Sequence, residues 1–550
     1  MYSPNNFDYD YIIIGSGFGG SVSALRLSEK GYKVLVLEKG KWLTAKDFPK
    51  TNWNLKKWLW LPALRFFGLF KLTYFRHVTI LSGVGVGGGS LVYANTLPVP
   101  KAKFFKAAAW AHLADWEKEL QPFYQLALRM LGATLNPRLE IGDLALQQLA
   151  REIGKEEYFN KTNVGVYFGA PGVTVQDPYF NGNGPTRTGC IYCGGCMLGC
   201  RHNSKNTLDK NYLYLAQQNG ATIQAESEVY DVIPLNQRNG AQGFRIKWKA
   251  STAFYKTKGE FTCRGVVFAG GVLGTVNLLL KLQRSSLPNL SDKVGTGIRT
   301  NSESLIGVTT FDKKKNFSEG IAIGSILHTD EYSHFEPVRY SAGSGFWRVF
   351  MSPLAHGKNA LTRMAKILVD FFKYPIQNLK TYFVDDWSKR TQILLFMQTI
   401  DSTLRFSRGM FGMKSSLDTG AAPTAFVPEA KALSERYAKI VNGKPTALST
   451  ETLLGIPTTA HILGGAVMGR DKSEGVIDKD NRVFGYENMY VCDGSMISAN
   501  PGVNPSLTIT ALAERAMSKI PIKKFEETNN RKVGPNGTLF SLPLIEETHG

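Results

Sequence analysis

The pattern of hydrophobic and polar positions at the start of the chain predicts a strand, a helix and a second strand. Residues 11–14, Tyr-Ile-Ile-Ile, form an apolar run without a polar position, which is typical of a parallel strand buried on both faces. Residues 19–30 carry apolar positions at helical spacing, and residues 33–37, Lys-Val-Leu-Val-Leu, form the next apolar run. This order predicts a βαβ unit with parallel strands.

Later parts of the chain repeat this pattern in separated segments. Helices are predicted at residues 101–131, 204–218 and 275–282, a strand at 221–229, a buried strand that enters a glycine-rich turn within 265–274, and one arm of a hairpin at 244–250. Residues 300–450 alternate strand-like segments with polar turns and contain no phosphate-type loop. Residues 489–494 return to a buried strand, followed by a helix that ends near residue 520. The two ends of the chain therefore share one pattern, and the middle has another.

A glycine-rich turn joins the first strand to the first helix. Gly15, Gly17 and Gly20 fit G-x-G-x-x-G in the sequence Gly-Ser-Gly-Phe-Gly-Gly. In dinucleotide-binding units the first glycine forms the tight turn, the second lets the backbone approach a pyrophosphate, and the third lets helix and strand pack closely. Glu38 closes the second strand about 20 residues further on, where a carboxylate accepts hydrogen bonds from an adenosine ribose. The sequence therefore predicts a dinucleotide site.

A second glycine cluster occupies residues 83–89, Gly-Val-Gly-Val-Gly-Gly-Gly, and Ser-Leu-Val-Tyr-Ala-Asn follows it. So many glycines in a short stretch indicate a backbone that runs close to something flat or anionic. After a dinucleotide-binding unit, we expect that object to be the flavin end of FAD.

The composition is that of an ordinary soluble globular protein, with 43% hydrophobic and 20% charged residues among 550. Residues 1–9 are polar and lack an apolar core, so we expect no signal peptide. The longest apolar stretch, residues 59–70, is interrupted by Pro62 and Arg65 and is shorter than the roughly 20 residues of a spanning helix. We expect a cytoplasmic location, with or without peripheral contact at the inner face of the membrane.

The formal charge of +20 points to nucleic acid, an anionic membrane surface or a generally basic solubilising surface. No nucleic-acid-binding motif occurs, so we expect no nucleic-acid partner. Residues 41–77 and 346–383 are both basic and aromatic. For the first segment, packing on the core, a lid over an apolar pocket and an interfacial membrane contact all remain open.

Four of the six cysteines form a cluster, Cys190-x2-Cys193-x2-Cys196-x3-Cys200. This is the spacing of bacterial ferredoxins, with Arg201 where those proteins have proline. Such short spacings converge several thiolates on one small centre. We favour an iron–sulfur cluster, with structural zinc, disulfides and free thiols as alternatives. The other two cysteines, Cys263 and Cys492, lie in apolar strand contexts and are predicted to be core thiols.

Several of these motifs together resemble the glucose–methanol–choline (GMC) flavoprotein oxidoreductases. They are the first glycine turn, Gly-Val-Gly-Gly-Gly-Ser-Leu at 85–91, Ala-Gly-Gly-Val-Leu-Gly at 269–274, Asp-Gly-Ser at 493–495 and Pro-Gly-Val-Asn-Pro at 501–505. Within the family, Thr-Gly-Cys-x-x-Cys, Lys-Asn-Thr-Leu and Arg-Thr-Asn-Ser-Glu-Ser resemble the cholesterol-oxidase-like branch of mycobacterial type. The resemblance extends over nearly the whole chain, from about residue 8 to residue 518.

The resemblance implies an α/β fold with a doubly wound, Rossmann-like FAD-binding domain and an α+β substrate domain with an antiparallel sheet. We assign residues 8–100, 204–300 and 455–520 to the FAD domain, and residues 101–189 and 301–454 to the substrate domain. The cysteine cluster covers residues 190–203, and residues 521–550 form a carboxy-terminal tail. Some membrane-associated sugar dehydrogenases of this family carry an iron–sulfur cluster in a region comparable to the cysteine segment.

The resemblance also implies site residues. The family's late catalytic pair falls on His461 and Asn504. The motifs place cofactor contacts at Gly15, Ser16, Gly17, Phe18, Gly19, Gly20, Glu38, Lys39, Gly83, Gly87, Gly88, Gly89, Ser90, Asn95, Val229, Gly270, Asp493, Gly494, Asn504 and Pro505. A neutral imidazole accepts a hydroxyl proton or holds a developing alkoxide, and an amide orients the hydroxyl without titrating.

We therefore predict an FAD-dependent oxidoreductase that oxidises a bulky apolar, sterol- or isoprenoid-like alcohol by hydride transfer to flavin N5. Electrons would then leave through the cysteine-bound centre to an acceptor protein or quinone. The alternatives are an oxygen-using sterol or alcohol oxidase with zinc or plain thiols, a net non-redox lyase or decarboxylase, and a non-catalytic redox or metal sensor.

Two departures from the family put sterol isomerisation and efficient use of oxygen in doubt. The region 385–393 offers Arg390 or Thr391 where the family's isomerising glutamate is expected, and Ser506 replaces an aromatic residue.

Overall fold

The apolar run near the start of the chain forms the strand Tyr9–Ile14, which lies inside a seven-stranded sheet. The computed structural model describes residues 7–400, 402–410 and 412–523, so most of the predicted tail lies outside the described residues. The sheet has the order Thr222–Gln224, Val34–Leu37, Tyr9–Ile14, Lys258–Phe268, Phe244–Ala250, Ser227–Pro234, with Met489–Val491 paired to the end of Lys258–Phe268. The first four strands and Met489–Val491 are parallel, and the hairpin strands are antiparallel.

The last long helix of the chain packs against the first. Phe18–Glu29 contacts Ser506–Ser518 and Tyr212–Gln218, and Ser506–Ser518 also contacts Trp116–Met130. Glu514 joins these helices, because Arg26 pairs with its carboxylate at 2.7 Å and the Tyr212 hydroxyl donates to it at 2.7 Å. The helix Gly271–Leu282 follows the central strand Lys258–Phe268. The two ends of the chain thus build one α/β unit.

A second sheet of seven strands is built from the middle of the chain. Its order is Met351–Pro353, Gly443–Leu448, Ser304–Thr310, Thr391–Gln398, Ser333–Val338, Ser325–His328 and Phe159–Lys161, and all its pairs are antiparallel. The helices Ile141–Glu152 and Pro428–Val441 pack on one face over a core that includes Ile306, Phe335 and Phe396. The predicted combination of a doubly wound α/β domain and an α+β domain is confirmed. The exact domain boundaries stay a prediction.

Shorter elements complete the described chain. The strands are Trp60–Leu61, Phe66–Phe67, Phe70–Tyr74, Thr79–Gly83, Thr134–Leu135, Asn163–Val164, Thr174–Val175, Arg187–Thr188, Thr403–Gly409, Gly412–Thr419 and Thr458–Thr459. The helices are Leu55–Trp58, Ala102–Phe105, Ala360–Lys373, Pro375–Tyr382 and Trp387–Arg390. None of the helices in the described ranges is long and apolar enough to cross a membrane.

Three predicted elements are interrupted in the structure. The helix predicted at 204–218 covers only Tyr212–Gln218, where the Asn211 side chain accepts from the Tyr212 amide and starts the helix. The segment 101–131 contains two helices separated by a turn, which the buried indoles of Trp110 and Trp116 hold by donating to backbone carbonyls. The strand predicted at 221–229 breaks at Glu226, which has a φ of 56°. Periodicity alone did not reveal these breaks, because the two in helices involve side-chain to backbone bonds and the one in the strand involves a positive φ at a residue other than glycine.

The two basic aromatic segments differ in their surroundings. In the first, Trp58 is fully buried and stacks on Phe70 with ring centroids 5.0 Å apart, so this part of the segment packs on a core, whereas Trp42, Trp53 and Leu64 are exposed. The second segment contains Ala360–Lys373 and Pro375–Tyr382, whose apolar side chains are mostly exposed.

Candidate active site

One cavity of about 740 Å³ lies between the two sheets and brings most of the predicted site residues together. The predicted residues that line it are Gly15, Gly17, Phe18, Gly19, Glu38, Lys39, Gly83, Gly88, Gly89, Val229, Gly270, His461, Asp493, Gly494, Asn504 and Pro505. The predicted residues that lie behind its wall are Ser16, Gly20, Gly87, Ser90 and Asn95. Ser90 supports the second glycine loop from behind, since its hydroxyl donates to the Gly87 carbonyl at 2.7 Å and accepts from the Leu208 amide.

The three glycines of the first turn have the three local environments that their predicted roles require. Gly15 has a φ of 104°, and a Cβ there would lie 2.4 Å from the Ala269 carbonyl oxygen. A Cβ at Gly20 would lie 2.1 Å from the Gly15 carbonyl oxygen. A Cβ at Gly17 would meet no described atom within 4 Å, because this position opens into the cavity. The cradle at Gly17 therefore fits a dinucleotide pyrophosphate.

The two glycine loops contact each other and form one cradle. A Cβ at Gly88, where φ is 52°, would lie 2.7 Å from the Gly17 Cα. Glu38 braces the same region, since its carboxylate accepts from the Ser16 amide and hydroxyl and from the Gly40 amide. Glu38 also lines the cavity. The residues present thus fit FAD, with Glu38 available to a ribose and Gly17 beside the phosphates.

The catalytic candidates line the same cavity and include a residue that sequence reasoning missed. His461 Nδ1 lies 2.8 Å from Glu303 Oε1, and His461 Nε2 lies 3.5 Å from Asn504 Nδ2. Glu303 is buried and also accepts from the Thr459 hydroxyl and the Ala460 amide. Because Nδ1–H donates to a carboxylate, Nε2 of the neutral ring is the acceptor that faces Asn504 and the cavity.

Electrostatics favour a basic imidazole at this position. Burial alone would lower the pKa of His461, but the charge of Glu303, its hydrogen bond and the charge of Glu336 outweigh burial and raise it. Burial alone would raise the pKa of Glu303, but the charge and hydrogen bond of His461 and the donors at 459 and 460 lower it. The pair therefore suits proton acceptance at Nε2.

Replacing Glu303 by glutamine should move the acid limb of the kcat/KM–pH profile to lower pH. Catalysis needs unprotonated Nε2, so activity rises as pH passes the His461 pKa, which Glu303 holds above its ordinary value. The amide removes that charge and lowers the pKa, while it also weakens the tautomer preference and lowers kcat. An unchanged acid limb in this variant would show that Glu303 does not set the pKa of His461.

The apolar part of the cavity wall comes from strands of the second sheet and from segments next to them. It includes Leu305, Ile323, Val338, Tyr340, Trp347, Met351, Ile393, Leu395 and Leu448, together with Met197. Alternate positions of single strands, such as Ile393 and Leu395, face the cavity, whereas Leu394 and Phe396 face the core. Both sets of positions are apolar in the sequence, since residues 393–397 form a continuous apolar run, so no alternation distinguished the cavity side from the core side.

The positions at which the chain departs from the family have distinct surroundings. Arg390 pairs with Asp385 at 2.7 Å, and Thr391 shares a hydrogen bond with Thr309, so neither lines the cavity. Ser506 does line the cavity.

Glu336 is a further acidic residue near the site. It is fully buried on a strand of the second sheet, and both its carboxylate oxygens lack a hydrogen-bond partner among the described residues.

The four clustered cysteines line a second, smaller cavity of about 20 Å³. The Cys190 and Cys200 sulfurs accept from the backbone amides of Tyr192 and Ser204 at 3.4 and 3.3 Å. Within the described ranges, no group of three or more His, Cys, Asp or Glu side chains is arranged to hold a metal ion. The four predicted metal ligands therefore surround one space, but their side chains are not arranged to bind a single metal ion. Cys263 and Cys492 are buried core thiols, as predicted.

Comparisons with known proteins give this geometry a family context. Residues 9–302 and 398–513 match the amino- and carboxy-terminal family models described as GMC oxidoreductase. A cholesterol oxidase of Acinetobacter baumannii is 45% identical over 530 residues, covering 94% of this chain and 95% of that protein. A cholesterol oxidase of Mycobacterium tuberculosis is 42% identical over 569 residues, covering 98% and 96%. Pyridoxine 4-oxidase from Mesorbium loti shares the fold, with a TM-score of 0.58, 14% identity and coverage of 93% and 98%.

Proposed function

This chain belongs to the GMC oxidoreductase family and acts on CH–OH groups, and we propose that its substrate is a bulky apolar alcohol of the sterol type. The observation that carries the proposal is the position of the His461–Glu303 pair and Asn504 opposite an apolar wall in one cavity. The names of the relatives from Acinetobacter baumannii and Mycobacterium tuberculosis support a sterol alcohol.

The residues of the chain supply placement and proton transfer. Held in the cradle beside Gly17 and Glu38, FAD would supply the hydride acceptor for the carbinol carbon. His461 Nε2 accepts the hydroxyl proton, and Glu303 holds the resulting imidazolium through the Nδ1–H bond. The Asn504 Nδ2 amide donates to the substrate oxygen and orients it without titrating. The sheet wall excludes water from the ring system of the substrate.

A substrate series should test the apolar class. We expect kcat/KM for a 3β-hydroxysterol to exceed that for a short secondary alcohol by at least about 10²-fold, since each buried methylene contributes roughly 0.8 kcal/mol. The assay is steady-state turnover in a fixed detergent with an artificial electron acceptor. Equal kcat/KM values for the two alcohols would contradict a sterol-sized apolar site.

For electron exit, we propose that Cys190, Cys193, Cys196 and Cys200 hold an iron–sulfur cluster. Two observations support this: the four cysteines line one cavity, and backbone amides donate to two of their sulfurs. In addition, Met197, which lies between Cys196 and Cys200 in the sequence, lines the large cavity, so the cysteine segment reaches the proposed flavin site. The space between the thiols, about 20 Å³, is close to that of one water molecule, so the cysteine side chains would have to move apart to hold a cluster. A cluster would supply one-electron acceptance beside the flavin site.

Replacing Cys193 by serine should leave flavin reduction by substrate nearly normal and slow reoxidation by a one-electron acceptor. The control is Cys263→Ser, because Cys263 is buried in the first sheet away from the cluster. Iron and labile sulfide are measured in anaerobically purified protein. Stoichiometric zinc, or thiols without any metal, would contradict the cluster and favour oxygen as the acceptor.

A further inference from the structure

The helix Ala360–Lys373 directs its apolar stripe away from the protein. Exposed apolar side chains recur at spacings of three and four, at Leu361, Met364, Leu368, Val369 and Phe372. Leu361 is 78% and Phe372 is 85% exposed. The side that faces the protein is mixed: Arg363 is enclosed and donates to the carbonyls of Gly357 and Leu453, and Ile367 and Phe371 are partly buried. Most of the apolar side chains of this helix thus face outward, unlike those of a helix that packs on a core.

The next helix extends the same kind of surface. Pro375–Tyr382 exposes Ile376 and Leu379, and Phe383 directly after it is 80% exposed. We call Leu361, Met364, Leu368, Val369, Phe372, Ile376, Leu379 and Phe383 the helix-pair surface. Exposed apolar groups of this extent mark a contact site rather than ordinary surface.

The charges of the segment favour an anionic partner. Lys358, Lys366, Lys373 and Lys380 are exposed along the two helices. The one acidic side chain of these two helices, Asp370, is neutralised by an ion pair with Lys444 at 2.7 Å. Long lysine side chains beside an apolar stripe place their ammonium groups at the level of lipid phosphates.

The helix-pair surface is also continuous with the wall of the large cavity. The turn Phe346–Phe350 precedes the first helix and presents Trp347 to the cavity while Val349 is exposed. The strand Met351–Pro353 carries Met351 into the cavity and contacts Ala360–Lys373. An apolar molecule dissolved in lipid at this surface is thus separated from the cavity by one layer of residues.

We propose that the helix-pair surface docks the protein on anionic phospholipid membranes. The apolar stripe enters the boundary between headgroups and acyl chains, and the lysines contact lipid phosphates. The docking itself does not depend on the proposed substrate, because it rests on exposure and charge alone. Together with that substrate, it places the part of the cavity wall formed by Trp347 and Met351 next to the phase in which apolar alcohols dissolve.

The test is vesicle flotation of the full-length FAD-loaded protein. We expect binding to vesicles of equal parts phosphatidylglycerol and phosphatidylcholine, weaker binding to phosphatidylcholine alone, and a decrease with salt. The triple variant Leu361→Ser/Leu368→Ser/Phe372→Ser should bind at least tenfold less. Replacement of Lys366, Lys373 and Lys380 by glutamine should lower partitioning roughly 100-fold, since each cation contributes about fivefold.

The matched control removes equally exposed apolar groups elsewhere. Phe254, Tyr255 and Met410 are 74%, 84% and 89% exposed, and their triple serine variant should float like the wild type. Thermal unfolding and flavin content verify the fold of each variant, and turnover of a detergent-solubilised alcohol should be the same in all of them. Wild-type protein that does not float, or equal flotation of both triple variants, would overturn the proposal. A wild-type dimer that the helix-pair variant dissociates would overturn it too, because a second copy would then cover the surface.

Discussion

Replacing His461 by alanine should slow reduction of bound FAD by an alcohol substrate roughly 10²–10⁴-fold while leaving the FAD content unchanged. The reason is the loss of a cavity-lining imidazole that Glu303 prepares as a base. Glu303 fixes the Nδ1–H tautomer at 2.8 Å, and the pKa of His461 is raised, so Nε2 is a proton acceptor directed at the substrate position. The measurement is stopped-flow flavin absorbance under anaerobic conditions.

Two further variants separate chemistry from packing. Asn504→Ala should slow flavin reduction less than His461→Ala does, because the amide orients the substrate hydroxyl and does not accept its proton. His112→Ala is the matched control, since His112 is partly exposed and lies outside the cavity wall. The flavin of this variant should be reduced at the wild-type rate. A wild-type reduction rate in His461→Ala would remove this histidine from the reaction.

Replacing Gly17 by valine should yield largely FAD-free protein that is nevertheless folded. A Cβ at this position meets no described atom within 4 Å, so the apoprotein has room for the side chain. The same space is where a pyrophosphate approaches the backbone, and the two isopropyl methyls would occupy it. We expect a loss of most of the bound flavin, measured as the ratio of flavin to protein absorbance after purification.

The stability of the apoprotein is the control for this variant. Apo Gly17→Val should unfold close to the temperature of wild-type protein stripped of FAD, because no protein contact is displaced. Gly19→Val is the contrasting variant: a Cβ there would lie 1.7 Å from the Cys492 carbonyl oxygen, so that chain should fail to fold properly with or without FAD. Full flavin occupancy in Gly17→Val would show that the pyrophosphate lies elsewhere.

Most of the cofactor site could be predicted from the local sequence motifs of this chain. The glycine turns were predictable because backbone that approaches a phosphate tolerates little except glycine, and the apolar runs were predictable because parallel strands are buried on both faces. His461 and Asn504 were assigned by resemblance rather than by local pattern. The structure places them 3.5 Å apart although they are separated by 43 residues.

Other parts of the site could not be derived from local pattern. Glu303 lies 158 residues before His461, and only the fold brings their side chains within 2.8 Å. The apolar wall takes single alternate residues from several strands of the second sheet, so no one segment resembles a pocket. The exposed stripe of Ala360–Lys373 has the periodicity of an ordinary amphipathic helix, which predicts burial of the apolar side and here does not produce it.

The most direct test of the central claim is anaerobic addition of a 3β-hydroxysterol to the purified FAD-loaded protein, followed by its visible spectrum. Oxidation of an alcohol transfers two electrons to the cofactor, so we predict bleaching of the flavin bands that persists until an acceptor is added. The oxidised steroid should form in an amount equal to the flavin reduced. An unchanged spectrum, or conversion of the sterol without lasting bleaching, would contradict an oxidoreductase acting on a sterol hydroxyl.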